Sequence, residues 1–214
     1  MSHSGAGYDQ IDVTPFTERN IQVSNITTTT VGILGMGNIG RAIRDRLQPF
    51  GCGKNVYYNR SRLPEELESC IEYVYYDDLI ANSDIIMVCV PFNPKNHHLL
   101  NVETISKMKD GVIIVNTACG AVIDEAALTD ALKASKVGAF GSDVFELEPK
   151  VSPELVDLPN VVSMPHIGTF TVQAMRNMEN FVVDKLEKLL KTGKVLTVVP
   201  EQSGVKFGHP ALLQ

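Results

Sequence analysis

The run VGILGMGNIG at 31–40 limits what this chain can fold into more than any other segment. An apolar stretch leads into Gly35, Gly37 and Gly40, spaced G-x-G-x-x-G, and an amphipathic stretch, IGRAIRDRLQPF (39–50), leaves it. A glycine turn between a buried strand and a helix is the shape that receives a dinucleotide pyrophosphate. Gly35 permits the tight turn, Gly37 lets the backbone approach the pyrophosphate, and Gly40 lets helix and strand pack closely. The helix start then offers free N–H groups and a positive dipole end to the phosphates. The bland alternative is a glycine-rich turn without ligand.

From Val31 onward, short apolar runs alternate with amphipathic ones. Strands are expected at 31–35, 55–58, 71–76, 84–90, 111–117, 138–145 and 160–164. Several are apolar on nearly every residue, as parallel strands buried on both faces are. Helices are expected at 39–50, 77–83, 101–108, 124–135 and 171–191, with Asn101 and Asp124 as N-caps and a stop near Gly193. Strand and helix in alternation give an α/β fold, a doubly wound parallel sheet, over 29–200. Residues 1–28 fall outside the alternation and read as a turn, a helix and a short strand, too little to bury a core alone. Residues 201–214 show no periodicity and read as a tail.

Composition removes several function classes. A net charge of −6 argues against a nucleic-acid partner, which needs a basic face. No run approaches the roughly 18 apolar residues of a membrane span. The opening MSHSGAGYDQ lacks the basic and apolar regions of a signal peptide, so a cytoplasmic location is expected. Cys52, Cys70, Cys89 and Cys119 form no C-x-x-C pair and are expected to be free thiols. His97 and His98 are read as structural, because neighbouring side chains diverge and no third ligand is evident. No metal is expected.

The end of the second strand selects the dinucleotide. An Asp or Glu there would bind the ribose hydroxyls and repel a 2′-phosphate. This chain carries Asn59, followed by Arg60, Ser61 and Arg62. An amide, a hydroxyl and two guanidinium groups suit a phosphate dianion. NADP(H) is therefore expected, with NAD as second choice, Arg60 and Ser61 as the main contacts and Arg62 as support. An ordinary solvated basic turn is the alternative.

Three further segments carry a resemblance. Residues 112–127 read VIIVNTACGAVIDEAA, 143–149 read DVFELEP and 164–169 read MPHIGT. With VGILGMGNIGRAI and YYNRSRL, they resemble the D-isomer-specific 2-hydroxyacid dehydrogenases, most of all the fungal NADP-linked glyoxylate and hydroxypyruvate reductases. The resemblance runs over about 31–200, and GAGYDQID (5–12) and NIQVSN (20–25) are similar to the end of that family's substrate-binding domain. It implies that 1–28 are a remnant of that domain. It also implies a homodimer, for which the arm that packs between subunits is expected to be missing after Asn25. An N-terminal lobe is likewise expected to be absent, and uncovered apolar surface should follow.

The resemblance implies a reaction and its residues. A small 2-keto acid is reduced by hydride from a nicotinamide while a histidine gives a proton to the carbonyl oxygen. His166 takes that role, and Glu148 orients its ring and raises its pKa. Cofactor contacts are implied at Asn38, Ile39, Val90, Pro91, Thr117, Ala118, Asp143, His166 and Gly168; Asp143 either faces the nicotinamide amide or simply finishes a strand. The family pattern N-x-x-R-G-x-x-x-D-E matches here at Asn116, Gly120, Asp124 and Glu125, with Cys119 at the arginine position. A guanidinium there grips the substrate carboxylate and polarises its carbonyl. A thiol does neither, so weak turnover is expected, and an inactive dinucleotide-binding module is the alternative.

Overall fold

Strands that are apolar on both faces need a covering layer on each side, and the chain builds its sheet accordingly. The computed structural model describes residues 29–50, 52–69 and 71–194, with short pieces at 2–3, 14, 24–25, 197–198 and 204–205. The strands are β1 (Thr30–Leu34), β2 (Lys54–Tyr58), β3 (Glu72–Tyr73), β4 (Ile85–Val88), β5 (Val112–Asn116), β6 (Val137–Ser142) and β7 (Val161–Ser163). All pair in parallel, in the order β3-β2-β1-β4-β5-β6-β7. The order reverses between β1 and β4. That switch point opens the crevice where doubly wound sheets bind ligands, outside the carboxyl ends of their strands.

Helices fill the crossovers. They are α1 (Asn38–Leu47), α2 (Glu65–Glu68), α3 (Tyr76–Asn82), α4 (Val102–Lys107), α5 (Glu125–Lys133) and α6 (Pro153–Val156). The expected caps are in place. Asn101 accepts from Thr104 N at 3.1 Å, and Asp124 accepts from Ala127 N at 3.0 Å. One core layer joins Leu34, Ile86, Val88, Ile114 and Leu128; the opposite face joins Ile33, Met36, Tyr57, Ile71 and Cys89. Two cores on one sheet are what a doubly wound fold requires.

The strand expected over 71–76 shrinks to Glu72–Tyr73, because Tyr76 already opens α3 and its hydroxyl donates to Leu99 O at 3.2 Å. Ser24–Asn25, within the stretch 1–28 where a short strand is expected, pairs in parallel with Ser2–His3. The helix expected before it, Cys70 and most of the expected tail lie outside the described residues.

The chain forms two compact units, Met1–His166 and Ile167–Gln214. This boundary falls inside the stretch expected as one domain. The second unit contains α7 (Val172–Thr192), capped by the Thr171 hydroxyl, which accepts from Ala174 N at 3.1 Å, and ended by Gly193 at φ 66°. A left-handed glycine is the usual helix stop.

Candidate active site

The glycine turn after β1 is built as its spacing demands. Gly35 has φ 102°, and a Cβ there would lie 2.7 Å from Cys89 C and Val90 N. A Cβ on Gly40 would lie 2.2 Å from Gly35 O, so the first turn of α1 seats directly on the strand end. At Gly37 a Cβ would meet nothing within 4 Å. The turn is therefore tight where it folds and open where a phosphate would come. Asn38 and Ile39 are exposed at the start of α1, whose first turn holds no acidic residue to compete for an anion.

Asn59 follows β2, and its Oδ1 accepts from Met36 N at 2.6 Å, fixing the glycine turn against the second strand. Arg60 and Ser61 are exposed beside it. Arg62, expected in support of a phosphate, instead grips Glu68 with Nε and Nη2 at 2.8 and 2.9 Å. Tyr57 Oη also donates to Glu68. Arg62, followed by Tyr57, holds the Glu68 carboxyl down to about 2. Arg44 Nη1 donates to Leu67 O at 2.5 Å. The 60–68 segment is thereby tied to β2 and α1.

The next two crossings also bring residues to the carboxyl edge. Val90 and Pro91 follow β4; Thr117 and Ala118 follow β5. Thr117 N donates to Val88 O at 3.1 Å, and Ala118 N donates to Asn116 Oδ1 at 3.0 Å. Asn116 Nδ2 donates to Cys119 O at 3.1 Å, so one buried amide shapes the turn that carries Cys119. Cys119 is half-buried, and its neighbour Gly120 abuts the loop after β6. A Cβ on Gly120 would lie 1.9 Å from Phe145 C.

That loop carries Asp143 and Glu148. Glu148 Oε1 accepts from Phe145 N at 2.7 Å, and Glu148 Oε2 sits 2.8 Å from His166 Nδ1. A carboxylate only accepts, so His166 Nδ1 carries the proton and Nε2 is left for chemistry. The His166 side chain is 64% exposed and that of Glu148 34%. The hydrogen bond to Glu148 and its charge, with Asp143 adding in the same sense, hold the His166 imidazole above its ordinary pKa. His166 and then Phe145 N hold Glu148 below the usual carboxylate range. His166 has φ 54°, a left-handed backbone uncommon outside glycine. Gly168 belongs to the second unit.

Sequence reasoning missed how this loop is held. Glu125 Oε1 accepts from Glu146 N at 2.6 Å, and burial raises the Glu125 carboxyl above its ordinary range, with Glu146 and Glu148 adding repulsion. It also took His97 and His98 to diverge. The rings instead stack at 3.9 Å, and His98 Nε2 lies 2.7 Å from Glu146 Oε1. The presence of Glu146 within the 143–149 motif was the available signal; the backbone turn at His98 was not legible.

Residues 4–168 match the family described as D-isomer specific 2-hydroxyacid dehydrogenase, NAD binding domain. The glyoxylate reductase 1 of Saccharomyces cerevisiae is 44% identical, over 94% of this chain and 72% of that protein. The alignment spans 251 positions, whereas 94% of 214 residues is about 201, so about 50 positions of the yeast protein lack a counterpart inside the aligned stretch. A crystal structure of a glyoxylate reductase from Paecilomyes thermophila superimposes with a TM-score of 0.81 at 37% identity, over 94% of this chain and 74% of that one. The NADPH-dependent glyoxylate/hydroxypyruvate reductase of Sinorhizobium meliloti, in complex with NADP and malonate, gives 0.76 at 27% identity, over 94% and 77%.

Proposed function

This chain belongs to the D-isomer-specific 2-hydroxyacid dehydrogenase family, and on that premise we propose that it binds NADP(H) and reduces a small 2-keto acid slowly. The substrate type is glyoxylate or hydroxypyruvate, as in the names of its relatives. The carrying observation is the 2.8 Å bond between His166 Nδ1 and Glu148, on loops at the carboxyl edge of a parallel sheet whose first crossover is an open glycine turn. The dinucleotide, when bound, supplies the hydride. His166 gives the carbonyl oxygen a proton from Nε2, and Glu148 stabilises the imidazolium and fixes the ring. Gly37 and the free N–H groups of Asn38 and Ile39 fit a pyrophosphate. Val90, Pro91, Thr117, Ala118 and Asp143 are the adjoining contacts from the next strands.

Preference for NADP(H) rests on Asn59, which places no carboxylate against a 2′-phosphate, and on Arg60 and Ser61, which stand free of the Glu68 network. Arg62 supports them indirectly, by holding their segment. A charge-assisted bond contributes roughly 1.5–3 kcal/mol, or about 10- to 100-fold in affinity. Titrating NADPH and NADH against the chain should show NADPH tighter by at least about 10-fold; equal or tighter NADH binding rules the preference out.

Slow turnover rests on Cys119. A thiol offers one weak donor and no fixed charge for the substrate carboxylate. Loss of a cation at the reacting group costs about 3–4 kcal/mol, or about 100- to 1000-fold in rate. The same residue favours a second reading, a module that binds dinucleotide without turning it over.

A further inference from the structure

We propose that His97, His98 and Glu146 form a binding site for a divalent transition-metal ion of the zinc type. Their ligand atoms all lie within 4.8 Å of one another. His98 Nε2 is 2.7 Å and His97 Nε2 4.0 Å from Glu146 Oε1. Two imidazole nitrogens and one carboxylate oxygen suit zinc, cobalt or nickel, whereas magnesium and calcium take oxygen ligands. Three protein ligands also leave a position for water. Ligand atoms in a tetrahedral zinc site stand about 3.3 Å apart, given bonds of about 2.0–2.1 Å. The three groups here straddle that spacing, so small rotations of exposed or half-buried side chains close the site.

The backbone explains why two adjacent histidines converge. In an extended strand, ψ of one residue and φ of the next nearly cancel, and neighbouring side chains point to opposite faces. Here ψ of His97 is 129° and φ of His98 is 49°, so the two angles add and both rings face the same way. The arrangement is pinned from outside. His98 N donates to Ala121 O at 2.9 Å, and Glu146 N donates to Glu125 Oε1 at 2.6 Å. His98 Nδ1 lies 3.9 Å from Asp124 Oδ2. An ion on Nε2 leaves the ring proton on Nδ1, and a small side-chain shift brings that carboxylate within reach of a hydrogen bond from it, the usual second partner of a metal-binding histidine. The hydrogen bond between His98 and Glu146 is exchanged for two bonds to the ion. Because Glu146 is two residues from Glu148, an ion here also anchors the loop that presents Glu148.

The test titrates Co2+ into the purified full chain, following its visible absorption, and then displaces it with Zn2+. One equivalent should bind saturably, with the band intensity of a low-coordinate site. His97→Ala and Glu146→Gln should each weaken binding at least about 10-fold while leaving the circular dichroism unchanged. His166→Ala should leave affinity at the wild-type level. If His97→Ala lowers the melting temperature, the isosteric Glu146→Gln carries the comparison alone. Absence of saturable uptake, wild-type affinity in Glu146→Gln, or an equal loss in His166→Ala overturns the site.

Discussion

An imidazole that donates from Nδ1 to Glu148 has its tautomer decided by its partner, and its Nε2 is left for the proton exchange proposed above. Because Glu148 raises the His166 pKa, the protonated form that the proposed reduction calls for persists to higher pH than in a free histidine. Removing the charge reverses the sign. Glu148→Gln, made in a Cys119→Arg background so that rates are measurable, should move the alkaline limb of the reduction profile to lower pH. An unmoved limb would show that Glu148 does not set it. Cys119 is the other side chain on which the proposal turns. Its turn is intact: Asn116 holds its carbonyl and Gly120 seats it against Phe145. Cys119→Arg therefore places a guanidinium on a prepared backbone, and glyoxylate reduction should rise about 100- to 1000-fold, read as kcat/KM. No change would mean that this position does not limit turnover.

The turn after β5 and the loop after β6 meet at Gly120, where backbone touches backbone. A side chain cannot be accommodated by rotating a flexible neighbour, because the atoms 1.9–2.2 Å from a Cβ belong to Phe145 and Glu146 main chain. Gly120→Ala should cost about 1–3 kcal/mol in urea unfolding, within the usual range for overpacking. A cost near zero would mean that the two loops are not packed as described. Elements of this kind were unevenly legible. The seven strands could be read because continuous apolar runs bounded by polar turns mark buried parallel strands, and the caps at Asn101 and Asp124 because their chemistry is local. The four-residue helices Glu65–Glu68 and Pro153–Val156 are too short to show a period. Glycine spacing revealed the shape of the cofactor turn. The pairing of Arg62 with Glu68 and the convergence of His97 with His98 depend on backbone angles and on contacts across the chain, which no residue pattern encodes.

At the scale of the whole molecule, the sheet of the first unit is, within that unit, finished more fully on one face than on the other. Among the described residues, Ile85, Met87, Ile113 and Val115 border an apolar hollow of about 270 Å³ beside Leu47 and Phe50, and Ile113 is 38% exposed. A hydrophobic dye should therefore bind the native protein, and sedimentation should show association that grows with concentration. A monomer that leaves the dye dark would contradict this. No helix among the described residues is long and apolar enough to cross a membrane. The glycine turn is complete, the His166–Glu148 pair is formed, and Cys119 stands where the family resemblance expects a cation. Cofactor binding and turnover should accordingly separate. The direct measurement follows NADPH binding by fluorescence and glyoxylate-dependent NADPH oxidation in one sample of the whole chain. Saturable binding is expected, with oxidation at no more than about 1% of the rate of Cys119→Arg. Oxidation by the wild-type chain at the rate of Cys119→Arg, or no binding of NADPH at all, would contradict it.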